Sequence, residues 1–361
     1  MFEKKKKVVY IKPNESSFIG VDQKILENYY NVTPILLSQK KGNLQYGWNN
    51  IKLFFRLLWS GLKKDVIFIC WFGDYHAAVM VLAAKITRTK SVIFVGGQEA
   101  VCYPELKKGV YRKKIRGFLV GYALKNTSLI IANHKSLIYH ENHYYNAENP
   151  HVDGIKHYVN RIHTPIEIIY NGINPDKFVR DYSIKKEENL ILTVGTMNQI
   201  GDFYNKGFDL FIHVAKRNPQ WQFVLISLNS SYVSWVEENY HFFKISNLKV
   251  YQSFCSTEVL NKYYNRAKVF VQASITEGMP NSLSEAMLLE CIPVGSNVNG
   301  IPDAIGNTGV VITKRSPEDL ERGIHKAMQM DTATQARERV IQNFSFEKRE
   351  QQIYSSIERL F

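Results

Sequence analysis

The 361-residue sequence has few cysteines and no long uninterrupted apolar segment. Its four cysteines lie far apart without a Cys-x-x-Cys pair, which argues against a disulfide framework and indicates buried thiols in a reducing compartment. The most apolar region, residues 66–86, is interrupted by Gly73-Asp74-Tyr75-His76, so it predicts a strand, a turn and a helix instead of a membrane span. The apolar run behind the basic amino terminus is too short for a secretory signal. We therefore expect a cytoplasmic protein.

Metal-binding patterns are also missing from the sequence. No Asp-x-Asp occurs, so we expect no divalent metal held between a carboxylate and a diphosphate. His140 and His143 are close in sequence, but no Cys or further His completes a zinc pattern around them. The sequence predicts neither a metal nor a resident cofactor.

The formal net charge is +13 and is unevenly distributed. Residues 1–175 contain 25 Lys and Arg against 12 Asp and Glu, whereas residues 176–361 contain 21 of each. A basic first half predicts an anionic partner, for which nucleic acid and an anionic membrane surface are the candidates. No nucleic-acid-binding module is recognisable, so we do not expect nucleic acid.

Two basic segments, 49–64 and 107–125, favour the membrane surface. Both mix Lys and Arg with aromatic and aliphatic side chains, as helices at a lipid interface do. The alternative is that both are ordinary domain helices with solvated lysines. A peripheral location at the inner face of the membrane is therefore a hypothesis at this stage.

Short apolar segments of strand length alternate with helical segments, which is typical of parallel sheets built from βαβ units. The pattern restarts after a polar, charged stretch at 176–188. We predict an α/β fold of two Rossmann-like, doubly wound domains that face each other across a cleft. The predicted parts are a basic domain at 1–175, a linker at 176–188, a second domain at 189–344 and a helix at 345–361 that packs back on the first domain. The predicted strands are 7–11, 35–37, 66–71, 91–95, 128–132 and 166–170, then 189–194, 221–227, 248–251, 269–273 and 292–295.

Two carboxylates, Glu277 and Glu285, flank a Gly-Pro turn that leads into a predicted helix. The first N–H groups of a helix lack intrahelical partners and lie at the positive end of its dipole, so they can bind phosphate oxygens. Carboxylates beside them can accept hydrogen bonds from sugar hydroxyls. The segment therefore predicts a site for a sugar nucleotide. The alternative is a capping box, in which Glu285 closes back on the amide of Ser282 and only starts the helix.

Several motifs, in order, resemble those of the retaining glycosyltransferases of family 4, which have the GT-B fold. The resemblance spans nearly the whole chain and implies metal-independent transfer of a sugar, with retention, from a nucleotide-diphosphate sugar to a carbohydrate or lipid-linked hydroxyl, as in surface polysaccharide or glycolipid assembly. The motifs are residues 168–178, Val194-Gly195-Thr196, Lys206-Gly207-Phe208-Asp209-Leu210, the E-x7-E segment 277–285, Cys291-Ile292-Pro293-Val294 and Gly300-Ile301-Pro302-Asp303.

The resemblance also implies roles for individual residues. Lys206 would hold the diphosphate, Glu285 the ribose hydroxyls and Glu277 the donor sugar. Thr196 occupies the position at which the family has an Arg that contacts the phosphates. Residues 96–99 lack the His that the family has in its first domain. His76 is the candidate substitute for that His, or else a structural residue. The predicted catalytic residues are Lys206, Glu277 and His76. The predicted donor-binding residues are Gly20, Asn171, Gly172, Thr196, Lys206, Glu277, Gly278, Met279, Pro280, Asn281, Ser282, Leu283 and Glu285.

Other functions share parts of this pattern. A GT-B epimerase would use the same nucleotide site without an acceptor. A non-catalytic sensor would bind the sugar nucleotide without turnover, and a nucleic-acid-binding protein would lose affinity steeply with salt.

Overall fold

A computed structural model describes residues 6–37, 42–174, 176–253 and 255–361. The first five residues of the predicted first domain, and Pro175 at its end, lie outside the described part. Two six-stranded parallel sheets with helices between their strands make up the chain, which confirms the predicted α/β class with two Rossmann-like domains.

The first sheet has the strand order β2-β1-β3-β4-β5-β8, and all of its pairs are parallel. An antiparallel pair, β6 with β7, is inserted before the last strand. The elements are β1 (Lys7–Lys12), α1 (Ser17–Tyr29), β2 (Asn31–Leu36), α2 (Asn43–Gly61), β3 (Val66–Trp71), α3 (Tyr75–Thr87), β4 (Lys90–Val95), α4 (Lys114–Asn126), β5 (Leu129–Ala132), β6 (His140–Asn142), β7 (His151–Asp153), α5 (Ile155–Tyr158) and β8 (Ile166–Ile168).

The second sheet has the order β11-β10-β9-β12-β13-β14 and is also parallel throughout. The elements are β9 (Glu187–Val194), α6 (Ile200–Asn205), α7 (Phe208–Arg217), β10 (Gln222–Ile226), α8 (Val233–Tyr240), β11 (Leu248–Tyr251), α9 (Thr257–Arg266), β12 (Ala267–Gln272), α10 (Asn281–Leu288), β13 (Ile292–Ser296), α11 (Ile301–Ile305), β14 (Val310–Ile312), α12 (Pro317–Met328), α13 (Ala333–Asn343) and α14 (Phe346–Glu358).

The strand sequences explain the layered packing. All six residues of β3 are buried because helices cover both faces of the sheet, and its sequence is accordingly a continuous apolar run. Strand β2 begins at Asn31, earlier than predicted, and includes Pro34. It lies at the edge of the sheet, where a residue without an N–H group is tolerated. The sequence prediction missed β14, which has only three residues.

The last helix, α14, follows the second domain but packs on the first. Its Arg349 makes a bidentate ion pair with Asp22 of α1, at 2.6 and 2.7 Å, and both side chains are buried. Trp71 also donates a hydrogen bond to Asp22 from its indole nitrogen, at 3.0 Å. The chain therefore crosses between the domains twice, and the two crossings meet at a bridge between Ile173 and Ser345.

Helix α2 has apolar side chains on two faces. One face, with Leu53 and Leu57, is buried against the sheet. The other follows a helical spacing and faces solvent, and each of its members is at least half exposed: Leu44, Trp48, Ile51, Phe55, Trp59 and Leu62. Within the described ranges, no helix has both the length and the apolar character that crossing a bilayer requires.

Candidate active site

A cleft of about 820 Å³ lies between the domains, beyond the carboxyl ends of the central strands. Ligands in open parallel sheets bind at this edge. Both domains contribute to its walls. The lining includes residues 14–18, Phe72, Gly96, Asn133 and Asn171 on one side, and residues 194–196, Asn198, Lys206, Leu260, 277–279, Asn281, Ser282 and Glu285 on the other.

Lys206 and Glu277 form an ion pair in this cleft, with 2.7 Å between Nζ and Oε2. Lys206 ends α6, and the next residue, Gly207, has φ = 70° and packs so closely on the end of β12 that a Cβ would lie 2.5 Å from the Ala273 carbonyl oxygen. This contact fixes the lysine beside the loop that carries Glu277. Burial raises the pKa of Glu277, but the ammonium groups of Lys206 and Lys108 outweigh it and hold the pKa below its ordinary value.

Helix α10 begins without a side-chain cap. Its N-cap residue is Pro280, so among the described residues no side chain caps the N–H groups of its first turn, which are available to a ligand. The Ser282 hydroxyl donates instead to Gln272, at 3.0 Å, and Glu285 accepts from the Tyr264 hydroxyl, at 3.1 Å. The capping-box alternative for this segment is therefore wrong.

Glu285 lies one turn into α10 and lines the same cleft as Asn281 and Ser282 at the start of that helix. Burial raises its pKa to about 7, although the hydrogen bond from Tyr264 acts in the opposite direction. Its carboxylate can accept two hydroxyls of a ring that reaches into the cleft.

A second helix start faces the cleft from the first domain. Helix α1 begins after Ser16, which makes no side-chain cap, and Ser16, Ser17 and Phe18 line the cleft. Asn171 donates to Asn281 at 2.9 Å, which joins the two domains at this wall, while its own Oδ1 has no partner among the described residues. The uncapped N-termini of α10 and α1 and the ammonium group of Lys206 thus converge on the main cleft, which is a suitable arrangement for a diphosphate.

Several predicted donor-binding residues lie at this cleft, and others do not. Thr196, Gly278, Met279, Asn281 and Ser282 line it, together with the residues already described. Leu283 is fully buried in the core of the second domain.

Three further predicted residues also lie away from the cleft walls. Gly20 lies inside α1, with open space around its Cα. Gly172 packs on α14, where a Cβ would lie 3.0 Å from Arg349 Cβ. Pro280 is buried at the start of α10 and contributes to the site only through the helix that it begins.

The structure does not bring His76 to the cleft. The side chain is 1% exposed at the start of α3, and its ring nitrogens contact the Tyr46 hydroxyl at 3.2 Å and the Trp71 carbonyl at 2.8 Å. Burial lowers its pKa. These contacts give His76 a structural role in joining α2 to β3, so the prediction of His76 as a catalytic residue is corrected.

The sequence interpretation missed Lys108, which faces Glu277 from the first domain. It lines a smaller pocket of about 190 Å³ next to the main cleft, opposite Glu277 and Gly278. Burial lowers its pKa to about 8, and the Lys206 ammonium group acts in the same direction. The residue belongs to the basic segment 107–125, whose pattern favoured a membrane surface and not the cleft, so only the tertiary structure identifies its position.

The domains are in contact around the site. His134 and Lys135 of the first domain reach Asp303 of the second, at 3.0 and 2.9 Å. A Cβ on Gly278 would lie 2.8 Å from the Gly96 carbonyl oxygen and 2.9 Å from Asn133 Oδ1. The loop that carries Glu277 therefore lies directly against the first domain.

Comparison with known proteins agrees with this architecture. Residues 175–345 match the family model described as Glycosyl transferases group 1. A protein of Methanocaldococcus jannaschii, named as an uncharacterized glycosyltransferase, is 23% identical over 182 residues. That match covers 45% of this chain and 45% of the relative, so it spans less than half of the relative's length.

Solved structures match the whole chain. The sucrose-phosphate synthase of Thermosynechococcus elongatus superposes with a TM-score of 0.74 at 14% identity, over 99% of both chains. HepE of Anabaena, in complex with UDP-glucose, gives a TM-score of 0.71 at 14% identity, over 98% of this chain and all of that one. The predicted GT-B fold is confirmed. The predicted resemblance to glycosyltransferases is confirmed at the level of group 1, through the second domain, and family 4 stays a prediction.

Proposed function

We propose that this chain, whose second domain is that of a group 1 glycosyltransferase, transfers a sugar from a nucleotide-diphosphate sugar to a hydroxyl acceptor. The observation that carries the proposal is the Lys206–Glu277 pair beside the uncapped start of α10, in the same cleft as Glu285. Lys206 and the free amides hold the diphosphate, Glu277 holds hydroxyls of the sugar, and Glu285 holds the ribose. UDP-glucose is the first donor to test, because HepE was solved with it.

The proposed reaction retains the anomeric configuration. The bond between the anomeric carbon and the phosphate oxygen breaks, the acceptor oxygen bonds to the same face, and the acceptor proton passes to the departing phosphate. Lys206 and the amides of α10 neutralise the charge that develops on that phosphate, so no divalent metal is needed. Closure of the domains excludes water, which would otherwise hydrolyse the donor.

Donor binding and turnover test the proposal. We expect one member of a panel of UDP, GDP, ADP and CDP sugars to raise the melting temperature, since a ligand at one hundred times its dissociation constant stabilises by about 2.7 kcal/mol. Lys206→Ala should reduce kcat by about 10²–10³-fold, as removal of a charge-stabilising donor does elsewhere. Glu285→Ala should weaken donor binding by roughly 10–100-fold through lost hydrogen bonds to a charged group.

Lys216→Ala and Glu338→Ala are matched controls, because both side chains are exposed on helices of the same domain. Full transfer by both site variants would refute the assignment. Formation of a new sugar nucleotide without an acceptor would indicate an epimerase, and donor binding without turnover on any acceptor would indicate a sensor. NMR of the product's anomeric proton tests retention, and activity in EDTA tests metal independence.

We further propose that the first domain binds the anionic inner face of a membrane, where a lipid-linked acceptor of surface polysaccharide or glycolipid assembly would be met. The exposed stripe of α2 supports this, since Lys52, Arg56, Lys63 and Lys64 are exposed beside it. An apolar groove of about 700 Å³ between α2, α3 and α4 adjoins it, with Phe118 at its wall, 76% exposed. Apolar side chains that insert into a bilayer and cations that meet its charge are complementary to anionic lipid.

Liposome flotation tests the membrane proposal. Wild-type protein should float with vesicles that contain phosphatidylglycerol and not with pure phosphatidylcholine. The double variant Phe55→Ser, Trp59→Ser should lose roughly 3–6 kcal/mol of apolar burial and remain at the bottom of the gradient. Phe243→Ser, on a similarly exposed phenylalanine of the second domain, is the control. Wild-type protein that never floats would end this proposal and leave the transfer proposal intact.

A further inference from the structure

Lys108 reaches into the smaller pocket beside Glu277. Among the described residues, no hydrogen bond or ion pair involves its ammonium nitrogen. Each nearby carboxylate bonds to another group: Glu277 to Lys206, Asp153 through Oδ2 to the Tyr103 hydroxyl at 2.6 Å, and Asp202 to the Asn198 amide at 3.0 Å. Oδ1 of Asp153 has no hydrogen-bond partner among the described residues. Lys108 is partly removed from water, and an ammonium group that loses water without gaining an ion pair is unfavourable, so an anionic ligand relieves that cost.

The loop that presents Lys108 is tightly held. Its backbone forms both hydrogen bonds of an antiparallel bridge with Tyr103, at 3.0 and 3.1 Å. The next residue, Gly109, has φ = 93° and sits where a Cβ would lie 1.9 Å from the Val101 carbonyl oxygen. Gly109 also donates to the Gln98 side chain at 3.0 Å. The backbone that carries Lys108 is thus held by the fold before any ligand binds, and the ammonium group is left available to one.

The Lys108 pocket continues from the main cleft on the far side of Glu277. The two spaces share Phe72, Gly96, Glu277 and Gly278, whereas Lys206 and the start of α10 line only the main cleft. Its 190 Å³ corresponds to roughly six water molecules, which suits a polar substituent of a sugar ring. A diphosphate held by Lys206 would therefore direct its sugar, and not its phosphates, toward Lys108.

We propose that the Lys108 pocket binds a carboxylate substituent on the transferred sugar, so that the preferred donor is a nucleotide-diphosphate uronic acid. This inference rests on the proposed function, because it takes Glu277 to lie beside the donor sugar. Lys108 is the specificity-determining residue, and its ammonium group forms an ion pair with the sugar carboxylate opposite Glu277.

Calorimetric titration with UDP, UDP-glucose and UDP-glucuronate tests the inference, or with the corresponding GDP compounds if the panel selects GDP. Wild-type protein should bind the uronate at least tenfold more tightly than the neutral sugar nucleotide. Lys108→Met should weaken uronate binding by about 10–100-fold and leave binding of UDP and of the neutral donor unchanged. Lys108→Arg should keep the preference, and Lys107→Met, at the exposed neighbouring position, should behave as wild type.

The outcomes separate this inference from the function itself. Unchanged UDP binding by Lys108→Met also shows that the variant is folded. An equal loss for UDP and for the uronate would overturn the inference and assign Lys108 to the diphosphate. Wild-type preference for the neutral sugar would overturn it too, while the transferase proposal would stand. No binding of any nucleotide sugar would overturn both.

Discussion

Replacing Gly278 by Ala adds one methyl group where the two domains touch. The added Cβ would lie 2.8 Å from the Gly96 carbonyl oxygen and 2.9 Å from Asn133 Oδ1, both in the other domain, whereas ordinary contacts begin at 3.4 Å. Gly278 has no positive φ that would exclude alanine from its backbone conformation. The strain of the substitution therefore falls on the interface between the domains.

We expect the substitution to impair closure of the two domains, and therefore to reduce turnover more than it reduces nucleotide binding or folding stability. The domains must separate by roughly half an ångström at this point, and misplacement of reacting groups by 1 Å can cost about 10²-fold in rate. We expect kcat to fall by about 10–100-fold. Lys206 and Glu285 both belong to the second domain, and only the start of α1 meets the diphosphate from the first, so affinity for the free nucleoside diphosphate should fall much less than kcat, by no more than about threefold. The free energy of unfolding should change by no more than about 1 kcal/mol.

Steady-state kinetics with the donor identified by the panel, calorimetric nucleotide binding and urea unfolding measure these three quantities. Gly47→Ala is the matched control, because it is a helical glycine with no atom within 4 Å of the added Cβ. Unchanged kcat would show that the contact between Gly278 and the first domain is not required for turnover. A loss of nucleotide affinity as large as the loss of kcat would instead show a local distortion of the site.

Two other predictions follow from buried charges. Arg349→Met should leave Asp22 buried without its cation and lower the free energy of unfolding by about 3–5 kcal/mol in urea titrations. Arg359→Met, at the end of the same helix, breaks a more exposed pair with Glu167 of β8 and should cost less than about 1 kcal/mol. Equal costs would contradict the assigned role of the Arg349 pair. Burial raises the pKa of Glu285 from 4.5 in the unfolded state to about 7 in the native state. Between these two pKa values the native state binds one proton that the unfolded state does not, so the stability contributed by this group is lost as pH rises through that window. Donor affinity should rise over the same pH window, because the ionised carboxylate becomes available to the ribose. Calorimetry with Glu285→Gln should show no such rise. A persistent rise in that variant would point to Glu99 or Asp153, whose pKa values burial also raises to about 7.

Much of the fold could be predicted because parallel strands covered on both faces need continuous apolar runs. The predicted strand 66–71 has the bounds of β3 for this reason, and the predicted strand 128–132 differs by one residue from β5, whose four residues are all buried. Strand β2 was only partly predicted, since Pro34 suggested a boundary that an edge position does not impose.

The site was predictable where it depends on a local segment. The E-x7-E spacing and the glycine after Lys206 are local patterns, so their geometry follows from one loop and one helix start. His76 was mistaken for a site residue because sequence does not distinguish a helix start at the cleft from one turned toward α2. Lys108 was missed because its importance depends on a loop that reaches across to the other domain.

The meeting of Ile173 with Ser345 has a mechanical consequence. Both covalent connections between the halves of the molecule pass through one small region, so opening and closing become a rotation about a single axis located there. Arg349 anchors that axis by donating to the Ile169 and Tyr170 carbonyl oxygens, at 2.9 and 2.7 Å, as well as to Asp22. The final thirteen-residue helix would then be the fixed side of the hinge, and under the proposed function release of the nucleoside diphosphate would depend on residues far from the reacting sugar.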